Sequence, residues 1–428
     1  MRKAAYFDIT PKCNLRCIHC YNAEKYFKCN DYEELSFDKI EKIIEELYNQ
    51  GFNYIHFLGG EPLLSSNIIK TIEYCKALKL EVSINTNATL LDETLQDKFI
   101  ELGVDQIGCS VDGYDDVTND AIRGKGTFYK AIKNIKDLKN KKSNIQVQVV
   151  YTITNLNHDN IITLPPLLEW LQVDMVDISL LFKAGNAIKT WGSINIYDLT
   201  LMQAIEEFVS MSQNRGYAIQ IDNRPIIAYY LKLKYHKIGI YTNVDFTTCS
   251  AGTKNVYIEA DGRIHPCNFF VAIGGREKYK DLNIDMDNLY LYERKFNEVI
   301  ESEYFVGFME KVQSMDVRKY RKDCKDCICR DICYPCPFEE SNKLENQMCM
   351  YCWEKLNTYI NNCRIEIKNK NIFNKLASDF LKNEIEELDV KLSDLLNEEK
   401  NHWYRIIDML INMQNLKIIE IKEKRYEN

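Results

Sequence analysis

From residue 4 to about residue 212 the chain alternates two hydrophobic rhythms. Short runs rich in Ile, Val, Phe and Tyr read as strands: Ala4–Ile9, Tyr54–Leu58, Val82–Asn85, Gln106–Val111, Ile145–Thr152 and Met175–Leu181. Between and after them, apolar residues recur three and four apart. Those stretches read as helices: Phe37–Asn49, Ile68–Leu78, Glu93–Leu102, Tyr129–Lys139, Leu164–Leu171 and a segment near Leu199–Ser212. In the first of them Ile40, Ile43, Ile44 and Leu47 share one face, and Ser36 stands at the N-cap position. Six strand–helix units predict an α/β fold, a partial (β/α)6 TIM-like barrel with a parallel sheet and helices outside. In such folds chemistry gathers at the C-terminal ends of the strands.

The rhythm breaks near residue 240. Cys249, Cys267, Cys324, Cys327, Cys329, Cys333, Cys336, Cys349 and Cys352 follow, with few long periodic helices between them. The last 60 or so residues change again. Leu381, Ile385, Leu388, Leu392 and Leu395 are spaced as a heptad seam, which predicts a helix. Trp403, Ile406, Leu410 and Met413 predict a second amphipathic helix. Packing of these helices on the same chain is preferred to an intermolecular coiled coil. The expected division is a core at 1–230, a cysteine-rich domain at 240–365 and a C-terminal helical extension at 366–428.

Composition narrows the chemistry. A net charge of −8 over 428 residues gives no general electrostatic footing for nucleic acid. No long apolar stretch follows Met1, and no window approaches the roughly 18 apolar residues of a membrane span, so a cytoplasmic, non-membrane protein is expected. In that compartment sixteen cysteines point to metal thiolates before disulfides.

Cys13, Cys17 and Cys20 follow directly on the first strand. Three thiolates supply one ligand fewer than the four that normally fill a [4Fe–4S] cluster, leaving an iron open to another molecule. A structural zinc site completed by His19 or Cys29 is the alternative on spacing alone. The C-x-x-x-C-x-x-C triad after the first strand of a βα array resembles the radical SAM superfamily. That resemblance implies that S-adenosylmethionine chelates the open iron. Its reductive cleavage would give a 5′-deoxyadenosyl radical that abstracts hydrogen from a substrate.

Further positions match the family pattern. Gly59, Gly60, Glu61 and Pro62 resemble its GGEP motif, implied to hold the methionine ammonium group. Asn85-Thr86-Asn87 resembles its TNG-type segment, with Ala88 in place of Gly. Ser110 and Arg123 are implied to approach the ribose and carboxylate of the cofactor. Asp112 is read either as a turn cap or as a ligand contact, and His19 stands where the family often stacks an aromatic near adenine.

The second cysteine group resembles the SPASM extension of peptide-modifying radical SAM enzymes, which implies one or two auxiliary [4Fe–4S] clusters. Cys249, Cys267 and Cys336 would serve the first, and Cys324, Cys327 and Cys333, with Cys349 or Cys352, the second. Zinc at one of these sites stays open. Cys329 is an extra, and Cys29, Cys75, Cys109 and Cys363 read as packing residues.

The resemblance leads to a peptide maturase acting on a ribosomally made, cysteine-containing precursor, forming a thioether or another crosslink. A flavodoxin or ferredoxin is the expected electron donor. A sulfatase-maturating enzyme is an alternative, although the position that carries its acidic base is Asn268 here. A small-molecule substrate and a non-catalytic iron–sulfur regulator are the others. With the cluster starting at Cys13, no leader-binding module is expected ahead of it. Leader recognition then falls to the C-terminal helices, a separate protein or the body itself.

Overall fold

The computed structural model describes residues 2–23, 33–196, 199–221, 225–235, 240–241, 249–275, 289–314, 343–378, 381, 385–398 and 403–423. It divides into two compact units. The first comprises Met1–Ile196, Thr248–Val317 and Cys336–Glu340; the second, Tyr197–Thr247, Arg318–Pro335 and Ser341–Asn428.

In chain order the first unit opens with β1 (Ala4–Thr10), α1 (Phe37–Asn49), β2 (Tyr54–Gly59), α2 (Ile68–Ala77), β3 (Glu81–Thr86), α3 (Glu93–Leu102) and β4 (Gln106–Ser110). It continues with α4 (Asp116–Arg123), α5 (Thr127–Asn140), β5 (Gln146–Ile153), α6 (Leu164–Leu171), β6 (Met175–Leu180) and α7 (Asn186–Ile194). The second unit supplies α8 (Leu199–Ser212), β7 (Ala218–Ile221), α9 (Pro225–Lys234) and β8 (Ile240–Tyr241). The chain then returns to the first unit for β9 (Asn255–Ile258), β10 (Ile264–His265), α10 (Asn268–Ala272), α11 (Phe296–Ile300) and α12 (Glu303–Ser314).

Strands β1 to β6 lie in sequence order in the sheet and pair in parallel, as the alternating rhythm requires. One face of each strand, carrying Phe57, Ile84, Ile107, Val149 and Ile178, is fully buried, as are Ile44, Ile72, Phe99, Ile135 and Leu168 of the helices. Each such side chain contributes roughly 1.5–3 kcal/mol of burial free energy. At the other edge β9 adds in parallel to β1, in the register Ala4↔Asn255 to Phe7↔Ile258, and β10 pairs antiparallel with β9. The Tyr257 hydroxyl donates to the buried Asp8 carboxylate across that junction.

The second unit ends with α13 (Lys343–Asn362), β11 (Cys363–Ile367), α14 (Lys370–Ala377), β12 (Asp389–Lys391), α15 (Leu392–Glu398), α16 (Trp403–Asn415) and β13 (Ile419–Glu423). Here the heptad reading is corrected. Residues 385–388 are not helical, and Asp389–Lys391 form a strand that pairs Val390 with Ile365. Cross-strand pairing of β-branched residues outweighs the leucine spacing. The region is therefore a three-stranded antiparallel sheet, β12-β11-β13, with helices, rather than helices alone. The second amphipathic helix does form, as α16, with Ile406, Leu410 and Met413 buried. Ser36 sits at the N-cap of α1 with extended backbone, but its side chain makes no capping hydrogen bond. Among the described residues no helix is long and apolar enough to cross a membrane.

Candidate active site

The loop leaving β1 carries Cys13, Cys17 and Cys20, each half-buried. It is braced from three sides. The Asn14 side chain donates to Thr89 Oγ1 at 2.9 Å and accepts from Asn87 Nδ2 at 2.9 Å, which ties it to the end of β3. The Ile18 N–H donates to Ile122 O at 3.0 Å, next to the C-terminus of α4. The third brace is the start of α7. Asn186 donates from its backbone N–H to Cys20 O at 2.9 Å and from Nδ2 to Cys17 O at 3.1 Å, and Thr190 Oγ1 donates to Ile18 O at 3.0 Å. The Ile18 side chain packs among Leu181, Ala187, Ile194 and Trp191. Gly185, at φ 55°, has no room for a side chain: a Cβ would lie 2.4 Å from both Cys20 O and Tyr21 O. These α7 contacts escaped the sequence reading. They are bonds to main-chain carbonyls and carry no motif.

The second strand end fits against the same loop. Gly60 N–H donates to Thr10 O at 2.8 Å and Glu61 N–H to Lys12 O at 2.7 Å. A Cβ on Gly60 would lie 2.2 Å from Lys12 O, so only glycine permits this approach. The Glu61 carboxylate is 1% exposed and accepts from Thr86 Oγ1 at 2.6 Å, Asn87 N–H at 2.8 Å and Leu63 N–H at 3.2 Å. Burial pushes its pKa up, against these three hydrogen bonds. Pro62 follows as the first residue of a short 3₁₀ turn. Asn85 lies over Gly108, where a Cβ would sit 2.1 Å from Asn85 Oδ1. Ala88, in the place of the motif glycine, still adopts φ 59°.

Asp112 is the hub of the fourth strand end, two residues past β4. It is fully buried. His19 Nε2 and Arg123 Nε each lie 2.6 Å from its Oδ2, and Thr152 N–H donates to Oδ1 at 2.8 Å. Burial alone would raise its pKa, but Arg123, His19 and the hydrogen bonds outweigh that and hold it at about 2. Asp112 thus orients Arg123, and its Oδ2 also fixes the His19 ring through Nε2. Ser110 ends β4 half-exposed beside Val150.

The thiols respond to burial. Desolvation pushes Cys13 up to about 11 and Cys20 up to about 12, with the neighbouring cysteines adding to it. Burial also raises Cys17, and the Arg123 guanidinium works against that rise. Thiolates in so desolvated a loop need cationic compensation, which iron supplies and which suits this donor set to a cluster. Among the described residues no three His, Cys, Asp or Glu side chains converge on a single metal ion.

In the cysteine-rich segment, burial and the neighbouring Cys249 push Cys267 up to about 11 despite the N–H groups of Phe270 and Phe269. Cys267 caps α10, and the Asn268 side chain accepts from Phe269 N–H at 2.8 Å. Cys352 lies on α13, fully buried, its thiol 3.8 Å from Met202 Sδ. Cys75, Cys109 and Cys363 are buried, in keeping with a packing role. Cys29, Cys324, Cys327, Cys329, Cys333 and Cys336 lie outside the described residues, as does the side chain of Cys349.

A cysteine triad and a glycine-rich turn at successive strand ends, with a buried arginine at the end of α4, define an iron–sulfur enzyme of the α/β barrel type. The chain belongs to the radical SAM superfamily: that family's model matches residues 7–171, and the model of an iron–sulfur cluster-binding domain, SPASM, matches 249–328. It is accordingly an enzyme that cleaves S-adenosylmethionine at a [4Fe–4S] cluster and carries auxiliary iron–sulfur binding. It is 31% identical to Fe-coproporphyrin III synthase of Methanosarcina barkeri over 43% of this chain and 45% of that protein, less than half of the relative's length. It is 23% identical to AdoMet-dependent heme synthase of the same organism over 76% of this chain and 90% of that protein. In fold it resembles SuiB of Streptococcus suis, solved with precursor peptide SuiA. That match has a TM-score of 0.59 and 17% identity, and covers 80% of this chain and 75% of that one.

Proposed function

We propose that this radical SAM/SPASM enzyme removes hydrogen from a side chain of an iron tetrapyrrole of the heme class. The supporting observation is the alignment with AdoMet-dependent heme synthase, which spans 90% of that protein. When bound, the cluster and S-adenosylmethionine supply the radical chemistry. In this reading Cys13, Cys17 and Cys20 hold the cluster. The backbone of Gly59, Gly60 and Pro62, with Glu61, Asn85 and Ser110, holds the cofactor, and Arg123 pairs its carboxylate. Asp112 and His19 act through Arg123 as positioning residues. Cys249 and Cys267 with Cys336 serve one auxiliary cluster. Cys324, Cys327 and Cys333, with Cys349 or Cys352, serve the other. The domain division at 1–230, 240–365 and 366–428 is proposed with it.

A second reading has one observation in its favour, the likeness of fold to a peptide-bound enzyme. It makes a cysteine-containing precursor peptide the substrate. The test is anaerobic reconstitution of the full chain, reduction with dithionite and addition of Fe-coproporphyrin III. A several-fold rise in 5′-deoxyadenosine over the substrate-free background is expected. No rise with the porphyrin, together with a rise on a cysteine-containing peptide, overturns the first reading in favour of the second.

A further inference from the structure

Phe182 and Phe269 come from distant parts of the chain and meet with ring centroids 4.9 Å apart and planes inclined at 57°. Both rings are half-exposed, whereas nearby Phe270, Tyr304 and Phe308 are fully buried. Their positions are informative. Phe182 lies just past the C-terminal end of β6 and three residues before Gly185, which sits against the backbone of Cys20 and Tyr21. Phe269 lies in α10, two residues after Cys267. The pair therefore spans from the loop of the first cysteine triad to the hairpin of the auxiliary cysteines, within one compact unit.

We infer that Phe182 and Phe269 form a tilted aromatic platform for a flat, conjugated macrocycle, an iron tetrapyrrole, which lies on the face of one ring and against the edge of the other. The chemistry is that of aromatic stacking, in which ring faces and edges offer more than their apolar area alone. The inference rests on the tetrapyrrole reading above and adds the binding residues to it.

The test is an anaerobic titration of the reconstituted full chain with Fe-coproporphyrin III, read by its Soret absorption. The wild-type protein should give a saturable shift. Phe182→Ala and Phe269→Ala should each weaken binding at least tenfold, and Phe182→Tyr should restore it. Phe182→Leu keeps apolar volume without a ring and should behave like the alanine variant. Iron content and melting temperature of each variant serve as the folding control, and Tyr129→Ala, at an exposed position, should bind as wild type. If wild type binds and both alanine variants bind equally well, the platform is overturned while the tetrapyrrole reading stands. If wild type gives no shift, the tetrapyrrole reading falls and the platform with it.

Discussion

The two cysteine regions of the first unit solve the burial of thiols differently. The loop of Cys13, Cys17 and Cys20 is held by one strand end and two helix ends and faces a buried guanidinium. The hairpin of Cys249 and Cys267 is held mainly by backbone pairing to β1 and by the first turn of α10. The first region therefore sets oriented charge beside its thiols. The second offers its half-buried thiols backbone N–H groups and no guanidinium among the causes that act on them. A site that binds a cofactor needs oriented charge; a site that stores electrons needs little beyond ligands and burial.

The widest separation between the two regions should come from their cysteines. Cys17→Ala is expected to remove the cluster of the first site and abolish 5′-deoxyadenosine formation from S-adenosylmethionine alone. Cys267→Ala is expected to lower iron content yet keep that formation measurable by chromatography. Equal loss in both variants would erase the distinction. Next comes the hub. Asp112→Asn removes the charged partner of Arg123 and should weaken S-adenosylmethionine binding roughly 10- to 100-fold, the usual loss when a group that orients a ligand-holding residue is removed. Isothermal titration of the reconstituted protein reads this, and the auxiliary cluster signal in electron paramagnetic resonance should not change. Thr190→Val should speed bleaching of the first cluster in air a few-fold, and Thr190→Ser should not.

How far the site was legible beforehand follows from the kind of bond involved. The six strands and the GGEP turn could be read because period-two alternation and glycines at strand ends are local signals. Asp112 was noticed but its partners were not, because nothing in a string of residues says that His19 and Arg123 meet on one oxygen. The brace from α7 was missed for the same reason: Asn186 and Thr190 reach main-chain carbonyls about 170 positions earlier. The leucine spacing after residue 381 misled because the deciding partner of Val390, Ile365, lies in another strand.

Two smaller effects sharpen the picture of the first region. The pKa of Asp112 is depressed in the fold. Its stabilisation is fully present above the unfolded value of about 3.9 and is lost as pH falls through about 2. Acid denaturation of wild type should accordingly steepen across that window, and Asp112→Asn should flatten it in a circular dichroism titration. Ala88→Gly relieves a side chain held at φ 59° and should raise stability by about 1 kcal/mol in chemical denaturation. A decrease would mean that the buried methyl group contributes more than the strain costs.

The pairing of β1 with β9 also bears on how the protein is made. Strand β1 leaves the ribosome well before its partner on that edge, which arrives about 250 residues later. Until then a hydrophobic strand edge and three reactive thiols stand open side by side. Synthesis in air would present both hazards at once, pairing with a foreign strand and oxidation of sulfur. Slowed translation or a captive chaperone during this interval should therefore change the yield of soluble chain more than any substitution in the finished helices.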